Sequence, residues 1–102
     1  MATAVLVTHR TRPGMRDHVR DVWQAHMPAA VAANPGHLAY FYTFDAADPD
    51  VIRAFQVYTD EAAAQAFLNE DAYRDYVVAV EPYLSGLPDV ALSQVVWAKG
   101  LA

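Results

Sequence analysis

Histidines are the side chains in this sequence best suited to move a proton near neutral pH, because their unperturbed pKa lies there. His26 shares one face of a predicted helix with Trp23, and a cavity beside that face would expose both to a ligand. In such a cavity His26 could take the proton of a phenol and leave an electron-rich phenolate to meet oxygen. The alternative is a histidine at the edge of the core that bonds a backbone carbonyl. His18 is expected to face solvent on the same helix.

His9 is the second candidate for proton transfer. It ends the first predicted strand, which right-handed crossovers would place next to the third strand and parallel to it. In that arrangement His9 meets Tyr58 across the sheet, so both residues join His26 as predicted catalytic residues. The alternative for His9 is an exposed residue at the end of a strand.

Aromatic residues form the second group with chemical potential, since stacking and a few phenolic hydroxyls hold a flat ring in many pockets. Tyr58 and Tyr73 are expected in such a pocket from their places on the third strand and at the start of a helical stretch. Trp23 and Tyr76 fall on helix stripes that a core would bury in any case, so core packing is the alternative for them. The aromatic residues considered for such a pocket are Trp23, Tyr40, Tyr42, Tyr58, Tyr73 and Tyr76.

Several other chemistries lack the residues that they require. The chain has no cysteine, which excludes disulfides, thiolate nucleophiles and sulfur-bound metals. No two histidines stand four positions apart and no His-x-His occurs, so no metal site is predicted. Asp60 and Glu61 are explained by the start of a helix. The sequence contains no nucleophile triad, phosphate loop or dinucleotide fingerprint.

Composition restricts the partners. The 102 residues carry a net charge of -5 with a pI near 5.1, which disfavours nucleic acids and acidic membranes because both attract basic surfaces. No apolar run approaches the roughly 18 residues of a membrane span, and the first residues lack the basic segment of a signal peptide, so a cytoplasmic location is expected. Hydrophobic residues make up 55% of the chain and charged residues 19%, so some apolar surface is expected to meet a partner or a ligand.

Four strands and three helical stretches are expected to position these residues. Turn clusters at 11–14, 34–36 and 45–50 separate several of them. Alternating or β-branched residues predict strands over 4–9, 37–44, 51–59 and 90–99. Apolar residues spaced by three and four predict helices over 15–33, 60–68 and 70–84, the first with a kink or an early end at Pro28.

This order of elements predicts a ferredoxin-like α+β sandwich in a single domain over residues 1–102. Its four-stranded antiparallel sheet carries helices on one face only, so the other face needs a cover, and a homodimer is expected. On strand two, alternation places His37 and Phe41 on one face of the sheet and Leu38 and Tyr40 on the other face. The residues expected on the uncovered face, in or near the dimer interface, are Phe41, Phe55 and Val57.

Segments spread along the chain share their order and spacing with a known family. They are Val5-Leu6-Val7-Thr8-His9 before Pro13-Gly14, then Asn34-Pro35-Gly36-His37 with Tyr40, then Phe55 to Ala63, and finally Trp97-Ala98-Lys99. Together they resemble the antibiotic biosynthesis monooxygenase family of dimeric α+β barrels. The resemblance implies a pocket inside each monomer, between the sheet and the helices. Members of that family convert phenols and hydroquinones to quinones without metal or flavin, degrade haem, or have no assigned role.

Three sites depart from the family pattern, as the resemblance aligns them. Ala54 and Tyr58 stand where the quinone-forming members have Asn and Trp on the third strand. Phe67 stands where the haem-degrading members have a histidine that ligates haem, which removes the most informative residue for haem chemistry. Gln56 stands where many relatives have a glutamate, and its neutral amide forms hydrogen bonds but cannot act as a base.

The resemblance and the candidate residues together imply a cofactor-independent monooxygenase that oxidises a small phenol or hydroquinone with oxygen. The first alternative is a non-catalytic dimeric module that binds a small apolar ligand or serves in a stress response. A haem-binding or haem-degrading protein is the third. The expected substrate-binding residues are Trp23, Tyr40, Gln56, Phe67, Tyr73 and Tyr76.

Overall fold

The sheet has four antiparallel strands in the order β2-β3-β1-β4 in the computed structural model, which describes residues 1–100. The strands are β1 (Thr3–Arg10), β2 (His37–Phe44), β3 (Val51–Tyr58) and β4 (Asp89–Gln94). The helices are α1 (Arg16–His26), α2 (Pro28–Ala33), α3 (Glu61–Leu68) and α4 (Asp71–Val80), and a 3-10 turn follows at Glu81–Tyr83. The helices pack on one face of the sheet, so the predicted ferredoxin-like α+β architecture is confirmed.

Prolines account for two breaks in the predicted helices. The first predicted helix is divided into α1 and α2, and Pro28 is the first residue of α2. A missing N–H is tolerated there, because the first helical residue has no partner for it. The last predicted helix stops at Val80, and Pro82 follows in the 3-10 turn. Between these breaks, Asp60 begins α3 by accepting a hydrogen bond from the Ala63 amide at 2.7 Å.

The two central strands are antiparallel, which corrects the predicted parallel arrangement of β1 and β3. A hairpin makes β3 antiparallel to β2, and the helical crossover from β1 to β2 makes those two non-adjacent strands run in the same direction. His9 therefore pairs with Ile52, whereas Tyr58 pairs with Thr3 at the other end of the strands. The predicted meeting of His9 and Tyr58 across the sheet is wrong for this reason.

A β-bulge near the start of β2 changes the predicted faces of His37 and Leu38. His37 pairs with Tyr58 and Ala39 pairs with Val57, so Leu38 is an extra residue in the strand. The extra residue shifts the alternation by one position. His37 consequently packs its ring 4.2 Å from that of Tyr58 on the helix-covered face, whereas Leu38 is exposed.

The face of the sheet away from the helices is apolar and partly exposed. Phe41 and Phe55 are partners across β2 and β3, and they are 62% and 48% exposed. Leu6 pairs with Phe55 on β1 and extends this surface, which we call the open face. Val57 has the same parity but is buried. Exposed rings of this size are typical of a surface that meets another molecule.

The last strand is shorter than predicted. It ends at Gln94, and a further backbone bond, from the Val95 amide to the Ala2 carbonyl at 2.9 Å, continues the ladder. Trp97, which the prediction placed in the strand, is exposed beyond it.

The core lies between the sheet and the helices. Val5 and Ile52 of the sheet meet Val19, Phe67 and Val80 of the helices, and all five are fully buried. Burying an apolar side chain of this kind contributes about 1.5 to 3 kcal/mol, so the core holds the helices firmly above the sheet. Within residues 1–100, none of the helices has the length and apolar character needed to cross a membrane.

Candidate active site

One interior cavity lies between the helix-covered face of the sheet and the helices α1 and α4. Its volume is about 10 Å³, which is the space of about one water molecule. The strands contribute Val7, His9, Tyr40, Tyr42, Ala54 and Gln56 to its wall. The helices contribute Trp23, Met27, Tyr73 and Tyr76.

Ala54 lies at the centre of the cavity floor. It pairs with Val7 on β1 and with Tyr42 on β2, so these three residues form one row across the sheet. The methyl side chain of Ala54 fills little of the space above it. Neighbouring rows place His9 on one side of this row and Gln56 on the other. The cavity therefore has two polar ends.

His9 forms the first polar end and is 3% exposed. Its Nε2 lies 3.0 Å from the Tyr76 hydroxyl, and its buried Nδ1 has no hydrogen-bond partner within residues 1–100. Burial lowers the pKa of His9 from 6.5 to about 4, so the ring is neutral at neutral pH. Burial also raises the pKa of Tyr76, whose hydroxyl stays protonated. A neutral imidazole with one free nitrogen can accept or donate one hydrogen bond to a ligand.

Tyr42 brings a second unpartnered polar atom to the cavity. Its buried hydroxyl bonds no group in the described part of the chain. Its ring stacks on Trp23 with centroids 4.2 Å apart, and Trp23 Nε1 donates to the Tyr40 hydroxyl at 3.1 Å. Burial raises the pKa of Tyr40 to about 12 and also raises that of Tyr42, so both hydroxyls are neutral. A buried hydroxyl without a partner costs free energy that a ligand atom or a water molecule would recover.

Gln56 forms the second polar end and is also 3% exposed. Its Oε1 accepts a hydrogen bond from the Tyr58 hydroxyl at 2.6 Å and lies 3.1 Å from His37 Nε2. His37 Nδ1 lies 2.9 Å from Asn34 Nδ2. Burial lowers the pKa of His37, against smaller opposing effects of the Gln56 hydrogen bond and the Glu70 charge. A chain of hydrogen-bonded side chains thus reaches from the turn before β2 to the cavity.

Most residues that the sequence suggested for the site lie together. Five of the six expected substrate-binding residues line the cavity, and the sixth, Phe67, is buried beside His37 with ring centroids 4.5 Å apart. His9 lines the cavity as well. Tyr58 lies behind Gln56, and its hydroxyl is bonded to the amide of that residue.

His26 lies away from the cavity. It is half-buried, and its Nδ1 is 3.0 Å from the Val22 carbonyl one turn earlier in α1. Trp23 and Met27, which are four residues apart, are the residues that reach the cavity from this part of the chain. The expectation that His26 faces the cavity is therefore not met, since it lies at the end of α1 on a neighbouring part of the helix surface.

Two residues with polar side chains, Tyr42 and His37, join the site although they were not among the site residues selected from the sequence. Tyr42 was one member of the aromatic group, and nothing in the sequence distinguished it from the others. His37 turns inward only because of the bulge at Leu38. The local signal that preceded it was the Asn34-Pro35-Gly36 turn, which places an amide side chain three residues before the histidine.

The rest of the described surface offers less chemistry. Two larger depressions, of about 440 and 360 Å³, are open to solvent. Neither is lined by a histidine or an aromatic ring, so neither supplies groups for proton transfer or stacking. Across residues 1–100, no three His, Asp or Glu side chains come together as a metal site would require.

The model of the antibiotic biosynthesis monooxygenase family matches residues 2–79. This span runs from β1 into α4 and includes every residue that lines the cavity. No curated protein sequence matches the chain significantly.

Solved structures share the fold over almost the whole chain. A candidate antibiotic biosynthesis monooxygenase from Chloroflexus aurantiacus is 22% identical, with a TM-score of 0.80 and 100% of both chains covered. A protein of unknown function from Nitrosomonas europaea is 25% identical, with a TM-score of 0.85 and coverage of 99% of this chain and 95% of the other. A candidate antibiotic biosynthesis monooxygenase from Caulobacter crescentus is 20% identical, with a TM-score of 0.86 and coverage of 94% and 91%. At these identities the likeness establishes the fold.

Proposed function

Because the chain belongs to the antibiotic biosynthesis monooxygenase family, we propose that it is a cofactor-independent monooxygenase that oxidises a small phenol or hydroquinone with molecular oxygen. The observation that carries this proposal is the interior cavity in which His9 Nδ1 and the Tyr42 hydroxyl lack partners among residues 1–100. A ligand oxygen would satisfy these atoms, and the aromatic wall would hold a flat ring against them.

His9 is the proposed proton acceptor. When its Nε2 carries the proton and donates to the Tyr76 hydroxyl, Nδ1 presents a lone pair. The low pKa of His9 keeps that lone pair free at neutral pH. The imidazolium formed by proton transfer is stabilised by the phenolate that it leaves beside it. His9 thus takes the role that the sequence suggested for His26, and Tyr58 acts on Gln56 instead of on the substrate.

The oxygen transfer balances without an external reductant. The phenolate supplies electrons to O₂, and a C–O bond forms at a ring carbon that bears a hydrogen, para to the ionised oxygen in a phenol and ortho to it in a hydroquinone; this hydrogen leaves as a proton. The O–O bond then breaks, so that one oxygen atom remains on the quinone product and the other leaves as water with the two protons. One phenol and one O₂ give one quinone and one water, and one hydroquinone and one O₂ give one hydroxyquinone and one water. The protein orients the ring and excludes bulk water.

Ligand binding requires the cavity to widen, since about 10 Å³ does not hold a ring. Trp23, Tyr40 and Tyr73 are half-buried members of its wall. The hydrogen bond from Trp23 to the Tyr40 hydroxyl joins α1 to the edge strand β2. Separation of this pair would open the cavity along β2, and a bound ring would replace the stacking contacts that the wall residues lose.

A homodimer formed through the open face belongs to the same proposal. Leu6, Phe41 and Phe55 leave a flat apolar surface that a second copy of the sheet would cover. An interface of this kind excludes water from both open faces at once. It would also stiffen the floor of each cavity, because the same strands carry both faces.

Labelled oxygen gas tests the proposed reaction. The purified protein is mixed with anthrone or a dihydroxynaphthalene under isotopically labelled O₂, with and without a chelator, and oxygen uptake and quinone absorbance are followed. We expect the label in the quinone and equal rates in both samples. A heat-unfolded sample measures spontaneous oxidation. Turnover no faster than that sample across the panel would contradict the proposal.

A ligand-binding module without catalysis is the second candidate function. It is favoured by the small cavity and by Ala54 and Tyr58, which stand where the quinone-forming relatives that the chain resembles have Asn and Trp. Tight binding of the same rings without incorporation of labelled oxygen would support this candidate over the first.

A further inference from the structure

The Gln56 amide is oriented by two groups on its oxygen side. The Tyr58 hydroxyl donates to Oε1 at 2.6 Å, and His37 Nε2 lies 3.1 Å from the same oxygen. A carbonyl oxygen only accepts, so His37 Nε2 carries the proton of the neutral ring. Both lone pairs of Oε1 are then in use. The side-chain hydrogen bonds of Gln56 within residues 1–100 are both made by Oε1, and the side chain, which is 3% exposed, lines the cavity.

Asn34 sets the tautomer of His37. The Asn34 Oδ1 accepts a hydrogen bond from the Gly36 amide at 3.1 Å, so the NH₂ side of Asn34 faces His37 Nδ1 at 2.9 Å. Nδ1 therefore accepts and Nε2 donates. The bonds from Asn34 to His37 and from His37 to Gln56 run in one direction, from the turn toward the cavity, and bonds aligned in this way strengthen one another.

Two local features of the backbone keep this chain of bonds in place. At Gly36, an added Cβ would lie 3.0 Å from the Ala63 Cβ and 3.3 Å from Asn34 Oδ1, so a side chain there would displace the Asn34 amide. The bulge at Leu38 turns His37 onto the helix-covered face, where its ring meets Gln56. Both features act on the orientation of a single amide.

We propose that the Gln56 NH₂ group donates the hydrogen bond that anchors one oxygen of the ligand, and that His37 and Asn34 are positioning residues for that donor. The inference rests on the proposed function and deepens it, because it assigns a ligand oxygen to each polar end of the cavity. His9 takes the proton of one hydroxyl, and Gln56 holds an oxygen at the far end of the ring system. An oxygen that accepts a hydrogen bond fits there, such as a quinone carbonyl or an ionised hydroxyl.

The spacing of the two ends supports a ligand with oxygens at both ends. His9 pairs with Ile52, which lies four residues from Gln56 on β3. The backbones of His9 and Gln56 are therefore about 13 Å apart in the direction of the strands. A ligand that meets both ends must therefore carry an oxygen on each of two opposite sides of its ring system. The short side chain of Ala54 leaves the space between the ends free.

Binding of 1,4-naphthoquinone, compared with binding of naphthalene, tests the inference without any turnover. The quinone differs from naphthalene mainly by its two carbonyl acceptors, and the chain has no cysteine for the quinone to alkylate. Calorimetry gives the ratio of the two affinities. We expect Gln56→Glu, which keeps an acceptor for His37 and Tyr58 but presents a second acceptor to the cavity, to lower that ratio at least about 10-fold. Gln56→Met, which removes the amide, should lower it similarly.

The matched controls separate the donor from general structure. Gln24→Glu makes the same chemical change on the exposed side of α1 and should leave the ratio unchanged. His37→Phe keeps a ring between Tyr58 and Phe67 but frees the amide to rotate, so the ratio should fall about threefold while naphthalene affinity stays the same. A shift of the bound carbonyl stretching band, present in the wild type and absent in Gln56→Glu, would identify the lost hydrogen bond.

The outcomes distinguish this inference from the proposed function. An unchanged ratio in both Gln56 variants, with the quinone still bound, overturns the inference alone. A wild-type protein that binds neither ring overturns the proposed function and the inference with it. In a further outcome, the quinone carries labelled oxygen while Gln56→Glu leaves the ratio of the two affinities unchanged. That result would support the proposed oxygenase and show that Gln56 does not anchor its ligand.

Discussion

The two faces of the sheet are made by the same strands but hold opposite kinds of surface. On β3, Gln56 and Tyr58 lie under the helices and belong to a hydrogen-bonded chain, whereas Phe55, the residue directly before Gln56, lies on the open face. The helix-covered face buries polar atoms, which costs stability unless they find partners. The open face exposes rings, which costs solubility unless something covers them. A solitary stable domain needs neither unpartnered buried polar atoms nor exposed aromatic rings. Each of these two features therefore indicates a surface that binds another molecule.

The strongest test of the open face is a charge at its centre. Phe55→Asp should raise the dissociation constant of the proposed homodimer roughly 1000-fold, because a central aromatic residue is lost and a carboxylate would be buried without a partner. Light scattering measures the mass, and far-UV circular dichroism confirms that the variant is folded. Val78→Asp places the same charge on the exposed side of α4 and should not change the mass. A folded wild-type monomer at micromolar concentration would refute the proposed role of the open face.

The helix-covered face can be tested by the pH dependence of stability. The folded-state pKa of His9 is about 4 and its reference value is 6.5, so the unfolded chain binds more protons between these values. The free energy of unfolding should therefore be highest above about pH 6.5 and fall by roughly 3 kcal/mol as the pH drops to about 4. The lowered pKa of His37 adds in the same direction.

Urea unfolding at several pH values measures this dependence. His9→Phe should flatten the curve, because the ring that resists protonation is gone, and the remaining slope then belongs to His37 and the carboxyl groups. His18→Phe changes an exposed histidine in the same way and should keep the wild-type slope. Equal slopes in all three proteins would show that His9 is not buried in its neutral form.

The same variant tests the catalytic role of the helix-covered face. His9→Phe should lower turnover of a phenol roughly 100-fold, the usual loss when a positioned base is removed. Much of the rate should return at high pH, where the substrate ionises in solution. His18→Phe should turn over normally. A loss in His9→Phe that stays constant at every pH would assign His9 to ring positioning instead of proton removal.

The smallest effect is expected at His26, which lies outside the cavity. His26→Ala removes one hydrogen bond to the Val22 carbonyl, so stability should fall by about 1 kcal/mol or less and turnover should change less than about threefold. Both are measured on one purified variant. A loss of turnover as large as that in His9→Phe would restore His26 as the proton acceptor.

Local pattern was enough to predict the elements of this protein. The aromatic and β-branched runs predicted β2 and β3, and the alanine-rich stretch after Asp60 predicted α3. Pro28 was expected to kink or end the first helix, and α1 and α2 divide there. These predictions succeeded because periodicity, capping and backbone restriction depend on residues a few positions apart.

Placement in the site was less accessible to sequence reasoning. His9 and His26 were both reasonable proton acceptors, and only the packing of the helices on the sheet showed that one lines the cavity and the other bonds its own helix. Tyr58 was expected to face a ligand, but the antiparallel register and the bulge at Leu38 place it behind Gln56 with His37. A bulge of one residue moves the following side chains to the other face of the sheet, and no local sequence pattern predicted the bulge at Leu38.

The sequence by itself determined the order and type of the elements, and with them the fold, because each strand and helix is specified by short-range periodicity and by its own breakers. It also determined the inventory of the site: histidines, tyrosines and amides, without cysteine. Only the tertiary structure decided which members of that inventory meet. Strand direction, the bulge in β2 and the end of α1 at His26 set where side chains point, and these depend on contacts between segments far apart in the chain.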